Sequence, residues 1–168
     1  MGQLKRHRRE SKFVEASLLE FARTGQFGPL RCGTSREELL AALGAPPLWG
    51  TEQDREIASI WRYGNVEFYF DEDRVWMIFS DHEDLSDGGE TLRVNRWIVR
   101  RGLPRLDFET QLTKEAIEFN VVAPSYDPHQ RLVRTSVGAV FGFIDYLEDE
   151  FDELGMFGWW ASSKSVRY

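Results

Sequence analysis

The sequence predicts an α+β protein of two similar units, each a helix followed by an antiparallel β-sheet, which form one continuous domain. Residues 33–47 contain a complete start and stop signal for a helix. Residues 60–80 alternate apolar and polar side chains around short polar turns, which is typical of neighbouring antiparallel strands. The same order recurs more loosely between residues 102 and 161, which indicates a duplicated unit.

Four segments follow from this pattern. We predict a flexible basic arm at residues 1–11, a first helix-sheet unit at 12–101, a second at 102–161 and a tail at 162–168. The 168 residues are 42% hydrophobic and 14% aromatic, which is enough apolar material for a packed interior and argues against global disorder.

The charge of the chain is unevenly distributed. Residues 1–12 carry five cations and one carboxylate, which gives a charge of +4. Because the net charge of the chain is −7, the remaining 156 residues carry a charge of −11. An acidic body is repelled by phosphate backbones, so we expect no nucleic-acid partner and favour a basic protein.

The compartment is inferred from cysteine usage and hydropathy. One cysteine, Cys32, excludes an internal disulfide and suits a reducing compartment. The basic start is not followed by the apolar core of a signal peptide, and no run reaches the roughly 18 apolar residues that span a bilayer. We therefore expect a cytoplasmic protein that does not associate with a membrane.

Two helices are predicted in the first unit. In residues 12–24, Val14, Leu18 and Phe21 recur near helical spacing, and Gly25 is placed to end an amphipathic helix. The second helix begins at a capping box, in which the side chains of Ser35 and Glu38 each bind the other residue's backbone N–H. The glycine at position 44 suits a left-handed helix end, and the prolines at 46 and 47 prevent continuation. The predicted buried stripe of this helix is Leu39, Leu40 and Leu43.

The strands of the first unit are predicted at residues 60–63, 66–71 and 75–79, with a further strand at 91–99.

Residues 81–90 are predicted to form an acidic loop. Its spacing fails the calcium-binding loop pattern because Leu85 and Ser86 occupy the fifth and sixth positions, and one nearby histidine makes no metal cluster. We therefore predict no metal site there.

The second unit repeats this order with a less clear pattern. Asp107 is a plausible N-cap for a helix, and residues 117–122 are predicted to be extended. Strands are predicted at 132–135 and 137–143, and the apolar run 155–161 supplies the last strand.

The stretch from Gly28 to Ile78 resembles a bacterial pattern in which a capped helix and an L-G-x-P stop precede a Y-G-x-(L/V)-E-F strand. Some proteins with this pattern are regarded as immunity proteins of toxin systems. The helix-then-hairpin order is also similar to SmpA/OmlA-type lipoproteins and to tandem-repeat β-lactamase inhibitor proteins. The resemblance implies a protein that binds and neutralises a partner. The chain has neither the lipidation cysteine of the lipoproteins at its start nor the disulfide pairs of the secreted inhibitors. Both differences favour a cytoplasmic binding protein. The matching residues are Gly33, Ser35, Glu37, Glu38, Leu39, Leu43, Gly44, Pro46, Tyr63, Gly64, Glu67 and Phe68.

An enzyme is disfavoured by the residues available for chemistry. Cys32 precedes a helix start, where a thiol pKa can be lowered, but the three histidines, His7, His82 and His129, lie in segments predicted as arm or loop. We interpret Cys32 as structural. No phosphate-binding glycine motif is present, so we predict no cofactor and no catalytic residues.

Protein binding has positive support, because exposed Trp and Tyr side chains are favoured interface anchors. The acidic segments 71–73, 81–87 and 145–153 could steer a basic toxin. We predict a cytoplasmic immunity protein that neutralises a toxin by occlusion. The alternatives are a self-associating scaffolding module, for example a homodimer, and a small hydrolase using Cys32. The predicted partner-binding residues are Trp49, Tyr69, Trp76, Asp81, Glu83, Asp84 and Trp97.

Overall fold

A computed structural model describes residues 13–51, 54–124, 127–145 and 154–164. The predicted arm at 1–11, the acidic turn at 146–153 and the end of the tail at 165–168 lie outside the described residues. The helices are α1 (Leu18–Thr24), α2 (Arg36–Leu43) and α3 (Arg105–Lys114). The strands are β1 (Val14–Ser17), β2 (Leu48–Trp49), β3 (Ile60–Tyr63), β4 (Val66–Asp71), β5 (Arg74–Ser80), β6 (Leu92–Asn95), β7 (Phe119–Val122), β8 (Gln130–Thr135), β9 (Ala139–Ile144) and β10 (Gly155–Ser162).

Eight strands form one antiparallel sheet in the order β2-β3-β4-β5-β10-β9-β8-β7. Strands β5 and β10 therefore pair at its centre, with Phe79 opposite Trp160. Strands β1 and β6 form a separate, two-stranded parallel sheet. The predicted mixture of helices and antiparallel strands, an α+β fold, is confirmed.

The prediction of one helix over residues 12–24 was wrong in its first part. Val14–Ser17 is extended and pairs in parallel with β6, because Val14 and Ala16 also fit the alternation of a strand, and Ala16 is buried. The Ser17 hydroxyl then accepts a hydrogen bond from the backbone N–H of Glu20, which starts α1. The predicted end is confirmed, because Gly25 adopts a left-handed conformation with φ 74°.

Helix α2 begins as predicted. Ser35 Oγ accepts from the Glu38 N–H at 3.1 Å, and the Ser35 N–H donates to Glu38 Oε2 at 2.7 Å. The predicted buried stripe was wrong at Leu40, which is 39% exposed, because the face that packs on the core is the one that carries Leu39 and Leu43. Gly44 has a positive φ of 76° but an extended ψ of −171°, so the chain leaves the helix without the predicted left-handed turn.

Strands β3, β4 and β5 confirm the predicted meander. Phe68 lies opposite Trp61 on one side and Ile78 on the other. A register shift between Tyr69 and Phe70 places a β-bulge in the β4–β5 pair.

The predicted strand over residues 91–99 was wrong in extent. Only Leu92–Asn95 is a strand, and it pairs with β1 rather than with the main sheet. The chain then turns at Trp97, whose backbone has φ 52° and whose N–H donates to Asn95 Oδ1 at 3.0 Å. This side-chain bond to the backbone competes with continued strand pairing.

The start of α3 also differs from the prediction. The helix begins at Arg105, with Pro104 at the cap position and no side-chain capping bond, so Asp107 is a first-turn residue rather than the N-cap. The predicted extended segment at 117–122 is a strand from Phe119 onward, after Ala116 at φ 54°. The strands predicted near 132–135 and 137–143 and at 155–161 are present as β8, β9 and β10.

The main hydrophobic core lies between the helices and one face of the eight-stranded sheet. All three helices contribute buried side chains to it, including Phe21, Leu39 and Phe108, and it extends without interruption to Phe141 and Trp159. In the part of the chain that the structure describes, no helix is both long enough and apolar enough to cross a membrane. The opposite face of the sheet is a separate surface.

Candidate protein-binding face

The second face of the sheet is formed by the residues that alternate with the core residues. In β4, Val66, Phe68 and Phe70 are buried toward the helices, so Glu67 and Tyr69 point to the other side. The cluster there consists of strand residues alone among those described: Leu132, Val140 and Trp160 are buried, and Met77, Phe79, Val122 and Phe157 pack against them. No described helix contributes to this face.

Aromatic rings run continuously across the β5–β10 seam on this side. We call the set Tyr69, Trp76, Met77, Phe79, Phe157 and Trp160 the aromatic face. The Tyr69 ring centroid lies 5.9 Å from that of Trp76 and 6.2 Å from that of Phe79. Phe79 lies 6.1 Å from Trp160, which in turn lies 6.3 Å from Phe157. Trp160 is 6% exposed, whereas the other members are half-buried.

Gly142 in β9 makes room for this arrangement. A Cβ atom at that position would lie 2.3 Å from Cζ of Phe157. The Phe157 ring therefore lies directly over the β9 backbone, and a side chain at residue 142 would displace it.

A polar cluster borders the aromatic rings. The Tyr69 hydroxyl donates to Glu67 Oε2 at 2.7 Å, and His82 Nε2 lies 3.3 Å from Glu67 Oε1. Burial raises the pKa of Tyr69, and the hydrogen bond to Glu67 and the negative charges of Glu67 and Asp81 raise it further. The Tyr69 hydroxyl is therefore a neutral donor at physiological pH.

The acidic loop of residues 81–90 extends from the end of β5, next to this cluster. Asp81, Glu83 and Asp84 are exposed. Asp84 Oδ1 accepts from the Ser86 N–H at 2.9 Å and from the Ser86 hydroxyl at 2.8 Å, and the first of these bonds is the main reason that the pKa of Asp84 is lowered. The loop is thus negatively charged at neutral pH.

The structure brings together some of the predicted partner-binding residues and separates others. Tyr69 and Trp76 are in ring contact, and the charge of Asp81 acts on Tyr69. Trp49, 44% exposed in edge strand β2, lies opposite Trp61 and so on the helix side. Trp97 also lies on the helix side, 5.8 Å from the Phe108 ring.

Four members of the aromatic face were missed as binding residues: Met77, Phe79, Phe157 and Trp160. The available signal was the run 155–161, which is apolar at nearly every position and therefore predicts a strand with two apolar faces. The helices in the described part of the chain are short and pack on one face of the sheet, so none of them covers this second apolar face.

Cys32 is not placed as an activated nucleophile. Its thiol lies 3.4 Å from the Trp76 carbonyl oxygen and 3.6 Å from that of Ala161, and burial raises the pKa of the thiol. Among the described residues it makes no hydrogen bond to an imidazole. No three His, Cys, Asp or Glu side chains in the described ranges are arranged to hold a metal ion.

Comparison with known proteins gives no information about the aromatic face or Cys32. No protein-family model matches the chain, and no curated protein or solved structure matches it.

Proposed function

We propose that this protein is a non-catalytic binding protein that covers a basic partner protein with its aromatic face. The observation that carries the proposal is a continuous band of half-buried aromatic rings on the sheet face that no described helix covers. Tyr and Trp are the side chains that most often anchor protein interfaces, because they bury much area and lose little side-chain entropy.

The charge of the adjoining loop supports a basic partner. Residues 81–90 carry five carboxylates and no Lys or Arg. A negative loop at the end of an apolar patch accelerates encounter with a positive surface, while the rings supply the contact area that slows dissociation.

The resemblance to immunity-type proteins supports a more specific form of this proposal. We infer a bacterial, cytoplasmic protein that neutralises a basic toxin by occlusion, in which the aromatic face covers the toxin's active site. The order of elements also supports two related units, α2 with β2–β5 and α3 with β7–β10, which meet at the β5–β10 seam. The partner would then contact both units across that seam.

Charge reversal of the loop tests the proposal. The triple variant Asp81→Lys, Glu83→Lys and Asp84→Lys should slow association with the partner by about tenfold or more at low salt, because it removes electrostatic steering. The partner is first captured from the native lysate with tagged protein and identified by mass spectrometry. Association rates are then measured by surface plasmon resonance at low and high salt.

Two further variants test whether the captured partner binds at the aromatic face. Tyr69→Ala combined with Trp76→Ala should lose the partner, whereas Trp49→Ala, which removes an exposed tryptophan on the helix side, should retain it. If the triple variant associates at the wild-type rate at low salt, or if the Trp49 and the aromatic-face variants lose the partner equally, this face is not the binding surface.

The second candidate is a self-associating structural module. It is favoured by edge strand β7, where Val121 is 41% exposed and the strand contains no charged residue or proline to block edge pairing. Light scattering separates the two functions: a concentration-dependent dimer mass without a captured partner would replace the immunity proposal by this one.

A further inference from the structure

A basic segment interrupts the acidic body on the helix side of the sheet. Residues 91–106 contain five arginines and no Asp or Glu, in a chain of net charge −7. Three of these arginines are engaged within the protein. Arg93 lies over the Phe13 ring, Arg101 donates to the Asp81 carbonyl oxygen, and Arg105 binds Glu109 and Asp145.

Arg96 and Arg100 are the two arginines that remain available. Both are exposed, and the guanidinium group of neither makes a hydrogen bond or an ion pair with any described residue. An exposed guanidinium group whose five donors make no hydrogen bond to a described residue is well suited to bidentate recognition of a carboxylate.

The turn between these arginines is held in an uncommon conformation. Trp97 has φ 52°, which a bulky residue seldom adopts, and two bonds maintain it: its N–H donates to Asn95 Oδ1, and the Val99 N–H donates to the Arg96 carbonyl oxygen at 2.8 Å. The Trp97 ring packs on Phe108 and remains half-exposed. Arg96, Trp97 and Arg100 therefore lie within one short segment of the chain.

A cleft of about 430 Å³ lies between this turn and α3. Its apolar part is formed by Trp97 and Leu103, its cationic part by Arg96 and Arg100, and its far wall by Thr110 and Gln111. The volume is within the range of clefts that hold a small ligand or a short peptide segment.

Three carboxylates limit the charge of this site. Asp107 also lines the cleft, and Glu83 and Asp84 line the adjoining surface together with Arg96 and Arg100. The charge of Arg96 is a minor cause of the lowered pKa of Asp84. Because the nearby acids leave little net positive charge, the two guanidinium groups suit a ligand with one or two carboxylates better than a densely charged polyphosphate.

From this geometry we propose a second docking site, in which the cleft between the Trp97 turn and α3 binds a carboxylate-bearing peptide segment of a partner protein. Arg96 and Arg100 bind the carboxylates, and the Trp97 ring packs on the peptide. This site lies on the opposite side of the sheet from the aromatic face, and it does not depend on the function proposed for that face.

The test uses the full chain and a defined probe, an N-acetylated hexaglutamate peptide, with hexaglutamine as the neutral control. Binding is followed by isothermal titration calorimetry at low salt and by the NMR signal of the Trp97 indole N–H, assigned with Trp97→Phe. We expect hexaglutamate to bind and to shift this signal, and hexaglutamine to do neither.

A charge-matched pair of double variants gives the decisive comparison. Arg96→Ala with Arg100→Ala should weaken hexaglutamate binding by about tenfold or more, because both charge-assisted contacts are lost. Arg31→Ala with Arg74→Ala removes the same charge elsewhere on the surface and should change binding by less than about twofold. Tyr69→Ala with Trp76→Ala should bind hexaglutamate normally, which separates this site from the aromatic face.

Three results would overturn the proposal. The first is equal weakening by the two arginine pairs, which would reveal unspecific attraction. The second is the absence of hexaglutamate binding or of a Trp97 shift in the wild-type protein. The third is tighter binding of oligothymidylate than of hexaglutamate at equal charge, which would assign the cleft to phosphate groups instead.

Discussion

At the scale of single residues, burial and local hydrogen bonds decide which polar groups are charged. Burial keeps the Tyr69 hydroxyl and the Cys32 thiol neutral by raising their pKa values. Bonds from Ser86 keep Asp84 charged by lowering its pKa. Tyr69 lies in strand β4 and Cys32 packs against the core, whereas Asp84 lies in the exposed loop. The protonation state of each group therefore follows from its position in the fold.

Asp84 yields a prediction about pH. Its folded-state pKa is lower than in the unfolded chain, so its contribution is present above the unfolded pKa of about 3.9 and is lost as pH falls through the folded pKa. Asp84→Asn should therefore lower the free energy of unfolding at pH 7 by about 0.5 kcal/mol, a small value because the group is exposed and screened. The difference from wild type should vanish at strongly acidic pH. Urea titrations at several pH values measure it.

Glu83→Gln is the matched control, because it removes one charge from the same loop at a residue with no hydrogen bond to any described residue. A Glu83→Gln effect as large as that of Asp84→Asn would show that general loop charge, and not the Ser86 bonds, is responsible.

At the scale of elements, short helices in this protein depend on their caps and on the sheet. Helix α2 has eight residues, fewer than an isolated helix needs for stability in water. Its reciprocal capping box satisfies two backbone donors, and Leu39 and Leu43 anchor it on the core. Helix α3 has no side-chain cap and relies on Phe108 and Leu112.

Ser35→Ala should consequently lower the free energy of unfolding by about 1 kcal/mol, because the Glu38 N–H loses its acceptor at the helix start. Chemical denaturation followed by circular dichroism measures this. Glu37→Gln, an exposed first-turn change outside the capping box, serves as the control. A loss for Glu37→Gln equal to that for Ser35→Ala would contradict a specific role of the cap.

At the scale of the whole molecule, a single core joins the two predicted units. The cluster on the helix side runs from Leu18 in α1 through Phe68 and Ile78 to Phe141 and Trp159, and so crosses the β5–β10 seam. Trp159 lies at this junction: its ring contacts Phe21 and Phe27, and its indole N–H donates to the Leu85 carbonyl oxygen at 2.8 Å.

Unfolding should therefore be one cooperative transition for the chain. Circular dichroism and tryptophan fluorescence should give coincident denaturation curves. Trp159→Phe should shift the whole transition, with a loss of about 2 kcal/mol from the smaller ring and the unpaired Leu85 carbonyl. A split into two transitions, or a shift seen by only one probe, would show that the halves fold independently.

Sequence signals were most reliable where adjacent residues determine the structure. The capping box at Ser35 and Glu38, the end of α1 at Gly25 and the alternation in β4 could be predicted because each depends on bonds or periodicity within a few residues. The candidate site was predicted only in part, since Tyr69 and Trp76 lie together while Trp49 and Trp97 lie on the other side.

The amino-acid sequence alone was enough to predict the α+β class, the capped helix α2, strands β3–β5 and the acidic character of the loop after β5. It was not enough to predict that Val14–Ser17 pairs with β6, that β5 meets β10, or that Phe79, Phe157 and Trp160 form one face. The difference comes from how far apart along the chain the interacting residues lie. Caps and alternation are set by neighbouring residues, whereas strand partners and shared faces depend on burial between segments that are distant in the chain.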